Sequence, residues 1–247
     1  MDYISVADLR IPVVNTAEMR EVDRLMIEKY GIQLLQMMEN AGRNLAELAR
    51  RFLDGFVSGK HIIVVAGKGN NGGGGLVAAR HLYNWGAHVT VLLRTDNLSG
   101  VPEIQLKILS SMKKQFITDE KAIEFLNNDH SDLILDAMIG YGLSGNPRGW
   151  TAKMIKKINS LSIPILALDI PSGLDATTGE IYDPCIQAFA TMTLALPKTG
   201  IVKTEVKKVV GSLYLADISV PDVLYKEMGI DITPLFLNDT IIKLNNF

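Results

Sequence analysis

Apolar positions along the chain switch between two periods, and the switches mark its elements. Asn15 with Glu18 three positions later forms a capping-box-like start, after which Met19, Val22 and Met26 share one face of a helix that Gly31 ends. Leu34, Met38, Ala41, Leu45, Leu48 and Phe52 step by three and four around polar residues and predict a second, longer helix. Ile62 to Ala66 is then a short β-branched run, Val77, Ala78, His81, Leu82 and Trp85 return to helical spacing, and His88 to Leu93 is strand-like again after the turn at Gly86. Pro102 opens a helix containing Ile104, Ile108 and Met112, followed by a short strand near Phe116 and a short helix from Lys121 to Leu126. Asp132 to Ile139 reads as a buried strand, Trp150 to Ile158 as a helix, and Ile163 to Ile170, Thr191 to Leu196 and Leu213 to Ile218 as further strands.

Six or seven apolar strands alternating with helices argue an α/β fold with a mostly parallel sheet covered on both faces. The two helices before the first strand must lie on its flank or cover one end. Residues 1–14 show no period and predict an extended arm, and the tail from about Pro221 holds one helix and polar turns. The whole of 1–247 reads as a single domain, with an N-terminal arm and helices over 1–57, the α/β core over 61–220 and a tail over 221–247.

Composition narrows the class. Hydrophobic residues make up 47% and charged residues 21%, enough for one large core, and the net charge of −2 gives no global reason to bind nucleic acid or an acidic membrane. The one cysteine, Cys185, cannot form an internal disulfide, and with no basic-then-apolar leader and no long apolar run the expectation is a cytoplasmic protein.

The candidate chemistry starts after the first core strand, where Gly67-Lys68-Gly69-Asn70-Asn71-Gly72-Gly73-Gly74-Gly75 leads into a helix. Four consecutive glycines each cost roughly 1 kcal/mol relative to alanine in a helix, so something other than helix stability favours them. Backbone without Cβ atoms approaches a ligand closely and a helix N-terminus attracts phosphate, which suggests a phosphate cradle. The spacing of Gly67, Gly69 and Gly72 also satisfies the dinucleotide fingerprint. A nicotinamide-dependent dehydrogenase nevertheless leaves Asn70 and Asn71 unexplained and lacks the acidic ribose ligand, since the second strand ends at Arg94, with Asp96 two residues on.

The other unusual residues fall at neighbouring strand ends, where open parallel sheets bind ligands. Asp136 sits late in an apolar strand, where a carboxylate must be paired, protonated or bound to a cation, and Asp169 precedes the sharp turn of Pro171-Ser172-Gly173. Asn, Asp and Ser oxygens on adjacent loops suit a hard cation, whereas the histidines and the single thiol lack zinc-ligand spacing. Ser172 lacks a nucleophile elbow, and the glycine loop lacks the Lys-Ser/Thr of a P-loop. Lys198 is either a phosphate ligand or a surface lysine, and Glu39 and Asn40 either reach a ligand or face solvent.

Gly67 to Arg80 resembles the G-x-G-N-N-G-G-D-G-L-V-A-A-R signature of the NAD(P)HX epimerases, the YjeF N-terminal domain family. Asp136-Ala137-Met138-Ile139-Gly140-Tyr141-Gly142-Leu143 is similar to that family's D-A-x-x-G-T-G-L segment and Leu168 to Asp175 to its V-D-I-P-S-G-L-D segment. Met38 to Gly42, Pro197 to Gly200 and Ala216 to Ile218 extend the likeness over nearly the whole chain. The resemblance implies a Rossmann-like three-layer α/β/α sandwich, usually dimeric, that interconverts the R and S hydrates of NADH and NADPH for repair by a separate dehydratase. It further implies that Asn71, Asp136 and Ser172 hold a potassium ion. The loops Asn70, Asn71, Gly72, Gly73 and Gly74 and Gly140, Tyr141, Gly142, Leu143, Ser144, Gly145 and Asn146 would bind the dinucleotide. Asp169 would face the reacting ring as the acid/base. Two positions depart from the pattern: Gly74 stands where the family has Asp and Tyr141 where it has Thr. They leave a rival expectation, a catalytically impaired homologue that keeps the pocket as a nucleotide-binding or protein/RNA-assembly scaffold.

Overall fold

The structure is a computed structural model that describes residues 3–6, 9–114, 116–128, 130–232 and 234–244. Its eight-stranded sheet has the spatial order β5 (Phe116–Thr118), β4 (His88–Leu93), β3 (His61–Ala66), β6 (Leu133–Ala137), β7 (Ile165–Leu168), β8 (Ala190–Leu194), β9 (Ser212–Ala216) and β10 (Ile241–Leu244). All neighbours are parallel except β10, which runs antiparallel to β9. The chain travels outward from β3 to β5 and returns on the other side of β3 as β6. The loops leaving β3 and β6 therefore diverge, and a crevice opens beyond their carboxyl ends.

Strand side chains alternate between two cores, as the pleat requires. Ile62, Val64 and Ala66 of β3 join one cluster with α1 (Thr16–Glu28), α2 (Leu34–Phe52), α3 (Asn70–Asn84), α4 (Val101–Ser111), α7 (Lys207–Val210) and α8 (Asp222–Glu227). Ile63 and Val65 join the other with α5 (Asp119–Phe125) and α6 (Gly149–Asn159). Three layers result, as the alternating pattern implies.

The predicted α1 start is present as a reciprocal cap: Glu18 N–H donates to the Asn15 Oδ1 at 2.9 Å, and Asn15 N–H to the Glu18 Oε2 at 2.7 Å. Of the two early helices, α2 lies on the sheet's face against α3, so closely that a Cβ on Gly42 would sit 2.4 Å from the Gly74 carbonyl oxygen. Its polar Asn44 ties it to the sheet's far edge through the Asp217 carbonyl and the Thr240 hydroxyl, each at 2.8 Å.

Two expectations need correction. The described part of the predicted N-terminal arm is a hairpin of β1 (Tyr3–Val6) and β2 (Leu9–Pro12), while residues 1–2 and 7–8 lie outside the described residues. The tail adds β10, whose edge position leaves only Ile241 and Leu244 buried and so weakens any alternating signal. The helix expected from Pro102 is present as α4, with Leu106 and Leu109 packed inward and Ile104 and Ile108 exposed.

Candidate functional site

The glycine loop meets the sheet before it meets any ligand. A Cβ on Gly67 would lie 1.9 Å from the Met138 carbonyl oxygen, one on Gly72 1.9 Å from the Gly67 carbonyl oxygen, and one on Gly75 2.5 Å from the Ala137 Cβ. These three positions let the first turn of α3 rest on the ends of β3 and β6, so for Gly72 and Gly75 the reason for glycine is close packing rather than ligand approach. A Cβ on Gly74 would meet Leu168 at 2.9 Å, facing α2 and β7. Gly69, by contrast, has nothing within 4 Å of its Cβ position and lines the cavity. Close packing thus accounts for Gly67, Gly72 and Gly75, while the loop's start at Gly69, where α3 begins, is open to the cavity.

Asp136 on β6 is fully buried. Its Oδ2 accepts from the Ser172 N–H at 2.8 Å, and its Oδ1 accepts from the Ser172 hydroxyl at 2.7 Å and the Met138 N–H at 3.2 Å. No ion pair reaches this carboxylate among the described residues, and burial outweighs the three neutral donors to push its pKa up to about 6. Ser172 Oγ in turn accepts from the Ile139 N–H at 2.9 Å. Asn71 donates its side-chain amide to the Leu168 carbonyl at 3.2 Å, and its Oδ1 lies 3.3 Å from the Cβ position of Gly140, the same distance as Asp169 Oδ2. Asp136 and Ser172 therefore touch directly beneath the loops, whereas Asn71 meets Asp169 across Gly140. A side chain at position 140 would enter the space between them.

Asp169 follows β7 in left-handed backbone geometry, φ +65°, which a non-glycine residue adopts only where its surroundings hold it. Its Oδ1 accepts from the Lys198 ammonium at 2.6 Å and its Oδ2 from the Tyr141 N–H at 3.3 Å. Lys198 is not the surface lysine that was one of the two expectations: it lines the cavity but is 1% exposed, and its Nζ also donates to the Leu194 carbonyl at 2.9 Å and the Thr193 hydroxyl at 3.3 Å. Val14 pairs with it as an isolated bridge, so the segment after the first hairpin fixes the loop that carries the lysine.

Tyr141 links this pair to the N-terminal helices. Its ring centroid lies 6.0 Å from Lys198 Nζ and its hydroxyl donates to Asp23 of α1. Burial raises the pKa of the Asp23 carboxyl despite that hydrogen bond, and burial together with the adjacent carboxylate raises that of the Tyr141 phenol.

A cavity of about 940 Å³ covers these groups. It is lined by the expected Asn70, Asn71, Gly140, Tyr141, Gly142 and Asp169, while Gly72, Gly73, Gly74, Leu143, Ser144, Gly145 and Asn146 do not line it. Asn146 instead accepts from the Asp183 N–H at 3.1 Å. Asp136 and Ser172 lie beneath the lining. Residues not anticipated at the site are Asp23 and Met19 on α1, Arg94 to Leu98 apart from Asp96 after β4, Asp119 after β5, and Trp150 and Thr151 on α6. Glu39, weighed as a ligand or a solvated residue, does not line the cavity; its side chain is partly exposed and binds Arg80 and, at 2.9 Å, His81 of α3.

The side chains meeting at Asp136, its own carboxylate and the Ser172 hydroxyl, carry only oxygen atoms, and among the described residues no group of three or more His, Cys, Asp or Glu comes together. Carboxylate, hydroxyl and amide oxygens of this kind suit a hard cation, and a buried carboxylate lacking a cationic side chain is the position where one would be favoured. Among the described residues no helix is long and apolar enough to cross a membrane.

Residues 34–200 match the family described as "YjeF-related protein N-terminus". A protein of Dehalogenimonas lykanthroporepellens named NAD(P)H-hydrate epimerase is 38% identical over 229 residues, which cover 92% of this chain and 87% of that one. A Moorella thermoacetica protein named bifunctional NAD(P)H-hydrate repair enzyme Nnr is 40% identical over 86% of this chain, which spans 41% of its length. The crystal structure of the yeast protein ynu0 (YNL200c) aligns with TM-score 0.82 at 27% identity, covering 95% of this chain and all of that one. With the family match extending over most of the chain and agreeing with the fold, this protein belongs to the YjeF-related N-terminal family.

Proposed function

We propose that this protein is an NAD(P)H-hydrate epimerase, interconverting the R and S forms of hydrated NADH and NADPH so that a dehydratase specific for one epimer can repair both. The observation that carries the reading is Asp169. Its carboxylate is held at the end of β7 in a cavity floored by a dinucleotide-type glycine loop, with Lys198 behind it.

The chemistry asks little of the protein beyond positioned proton transfer. The epimeric carbon carries a hydroxyl beside the ring nitrogen, so opening the ring, or losing that hydroxyl, allows attack from the other face. Asp169 takes and returns the proton. Lys198 keeps the carboxylate aimed from the protein side while the Tyr141 N–H fixes its second oxygen. The N-terminus of α3 receives the diphosphate. Asn71, Asp136 and Ser172 would supply oxygens to potassium; when bound, the ion supplies positive charge that offsets the buried Asp136 carboxylate and fixes the loops carrying Asn71 and Ser172. Their oxygen-only chemistry supports this assignment. A homodimer working in the cytoplasm alongside a separate dehydratase belongs to the same reading, and the Moorella relative, named as a bifunctional repair enzyme, supports the coupling.

The test supplies an epimer mixture together with a stereospecific dehydratase. Adding this protein should carry consumption to completion, and Asp169→Asn should remove that effect while binding of the dinucleotide stays measurable. A plateau when the dehydratase's own epimer is exhausted would favour the scaffold reading, and unchanged turnover in Asp169→Asn would remove that residue from the mechanism.

A further inference from the structure

The cavity extends well past the reacting corner, running from Asp169 after β7, across the loops following β6 and β3, to residues after β4 and β5. If the reacting ring lies at Asp169 and the diphosphate at the start of α3, the second nucleoside of the dinucleotide falls at the end of β4. That corner is built by register: Ala66 of β3 pairs with Leu93 of β4, and Leu93 pairs with Thr118 of β5. Arg94 and Asp119 therefore emerge side by side, with Lys68 one residue further along the loop from β3, and all three line the cavity.

The end of the second strand is where dinucleotide-binding sheets read the adenosine ribose. A carboxylate there accepts the ribose hydroxyls and repels phosphate, whereas an arginine accommodates a 2′-phosphate. Here the position after β4 is Arg94, exposed and making no ion pair within 4 Å among the described residues, and Thr95 and Asn97 from the same loop also line the cavity. Asp96 does not line it, and Asp119, the carboxylate in the corner, makes no ion pair with Arg94. A guanidinium without a carboxylate partner presents its fork to an incoming phosphate, with Lys68 adding positive charge from the neighbouring loop.

We propose that Arg94 binds the 2′-phosphate of the adenosine ribose, so that the protein favours the hydrate of NADPH over that of NADH. The proposal rests on the epimerase reading only for its substrate, because the subsite recognises a phosphomonoester whether or not a reaction follows. Two measurements separate these. In calorimetric titration of the full chain, adenosine 2′,5′-bisphosphate should bind at least about tenfold more tightly than AMP. Arg94→Gln should weaken the bisphosphate about 10- to 150-fold, the range for a hydrogen bond to a charged group, with a much smaller effect on AMP. In the coupled assay the same substitution should lower the ratio of kcat/KM for the NADPH hydrate to that for the NADH hydrate by a similar factor. Equal affinity of the wild type for the two nucleotides, or equal loss of both in Arg94→Gln, would overturn the proposal and leave the corner to Asp119 and the ribose hydroxyls. Bisphosphate preference without epimerisation of either hydrate would instead overturn the epimerase reading and leave the subsite standing.

Discussion

The buried Asp136 carboxylate makes the potassium assignment measurable without any substrate. An aspartate has an ordinary value of 3.8, and in the folded chain burial lifts Asp136 to about 6. Between these values the folded protein still holds a proton that the unfolded chain has released. Stability therefore falls as pH rises from 3.8 to about 6 and levels off above, a loss of about 3 kcal/mol. For a chain of this length that is roughly 6–12 °C in Tm. A cation bound only by the folded, ionised site offsets the loss by mass action, about 2.7 kcal/mol when its free concentration is a hundredfold above Kd. Thermal unfolding in potassium chloride and in choline chloride at one ionic strength isolates this effect, since other titrating groups contribute equally in both salts. Potassium should raise Tm by several degrees at pH 7.5 and by much less at pH 4.5. Asp136→Asn should abolish the difference: its amide can still accept from the Ser172 N–H and donate to the hydroxyl, although the Met138 N–H loses its acceptor. A potassium effect of equal size at both pH values, or one that survives in Asp136→Asn, would refute the placement of the ion at this carboxylate.

Lys198→Met should cost about 3–5 kcal/mol in denaturant unfolding, because it leaves the Asp169 carboxylate buried among neutral partners. Combining it with Asp169→Asn should recover much of that stability without restoring turnover; an unchanged midpoint in the single variant would show that the pair is not coupled in solution. Gly75→Ala should destabilise by about 1–3 kcal/mol, as its methyl would stand 2.5 Å from the Ala137 Cβ and push α3 off β6. Gly73→Ala, whose nearest neighbour would be 3.4 Å away, should match or exceed wild-type stability through helix propensity, and equal effects at the two sites would contradict the packing account.

Much of the sheet was legible because parallel strands buried on both faces leave apolar runs that only glycine loops interrupt. The expected strand at His88 to Leu93 has the observed bounds of β4. What escaped was whatever depends on partners distant in sequence. The β1–β2 hairpin and β10 pair at edges where alternation is short, and the sense of the glycine run is visible only once β6 lies beneath Gly67 and Gly75. Lys198 was equally opaque, since a lysine after a strand ordinarily reaches water. Only the carboxylate of Asp169, brought in from β7, makes its complete burial tolerable.

Asp23 shows where a stronger signal lay unread. It stands four residues after Met19 and three before Met26, within the apolar stripe of α1 and not on its polar side. Like Asp136 within its apolar strand, a carboxylate on a buried helix face must find a donor, a proton or a cation. In α1 the donor is the Tyr141 hydroxyl, and both residues line the cavity. The departure from the family's threonine at 141 thus acquires a physical consequence: a phenol is long enough to span from the β6 loop to the N-terminal helix, tying α1 to the backbone N–H that holds Asp169. The first helix is therefore part of the site's wall rather than an appendage to the α/β unit, and the Asp169 carboxylate is held from two sides, by Lys198 after β8 and by a loop anchored on α1.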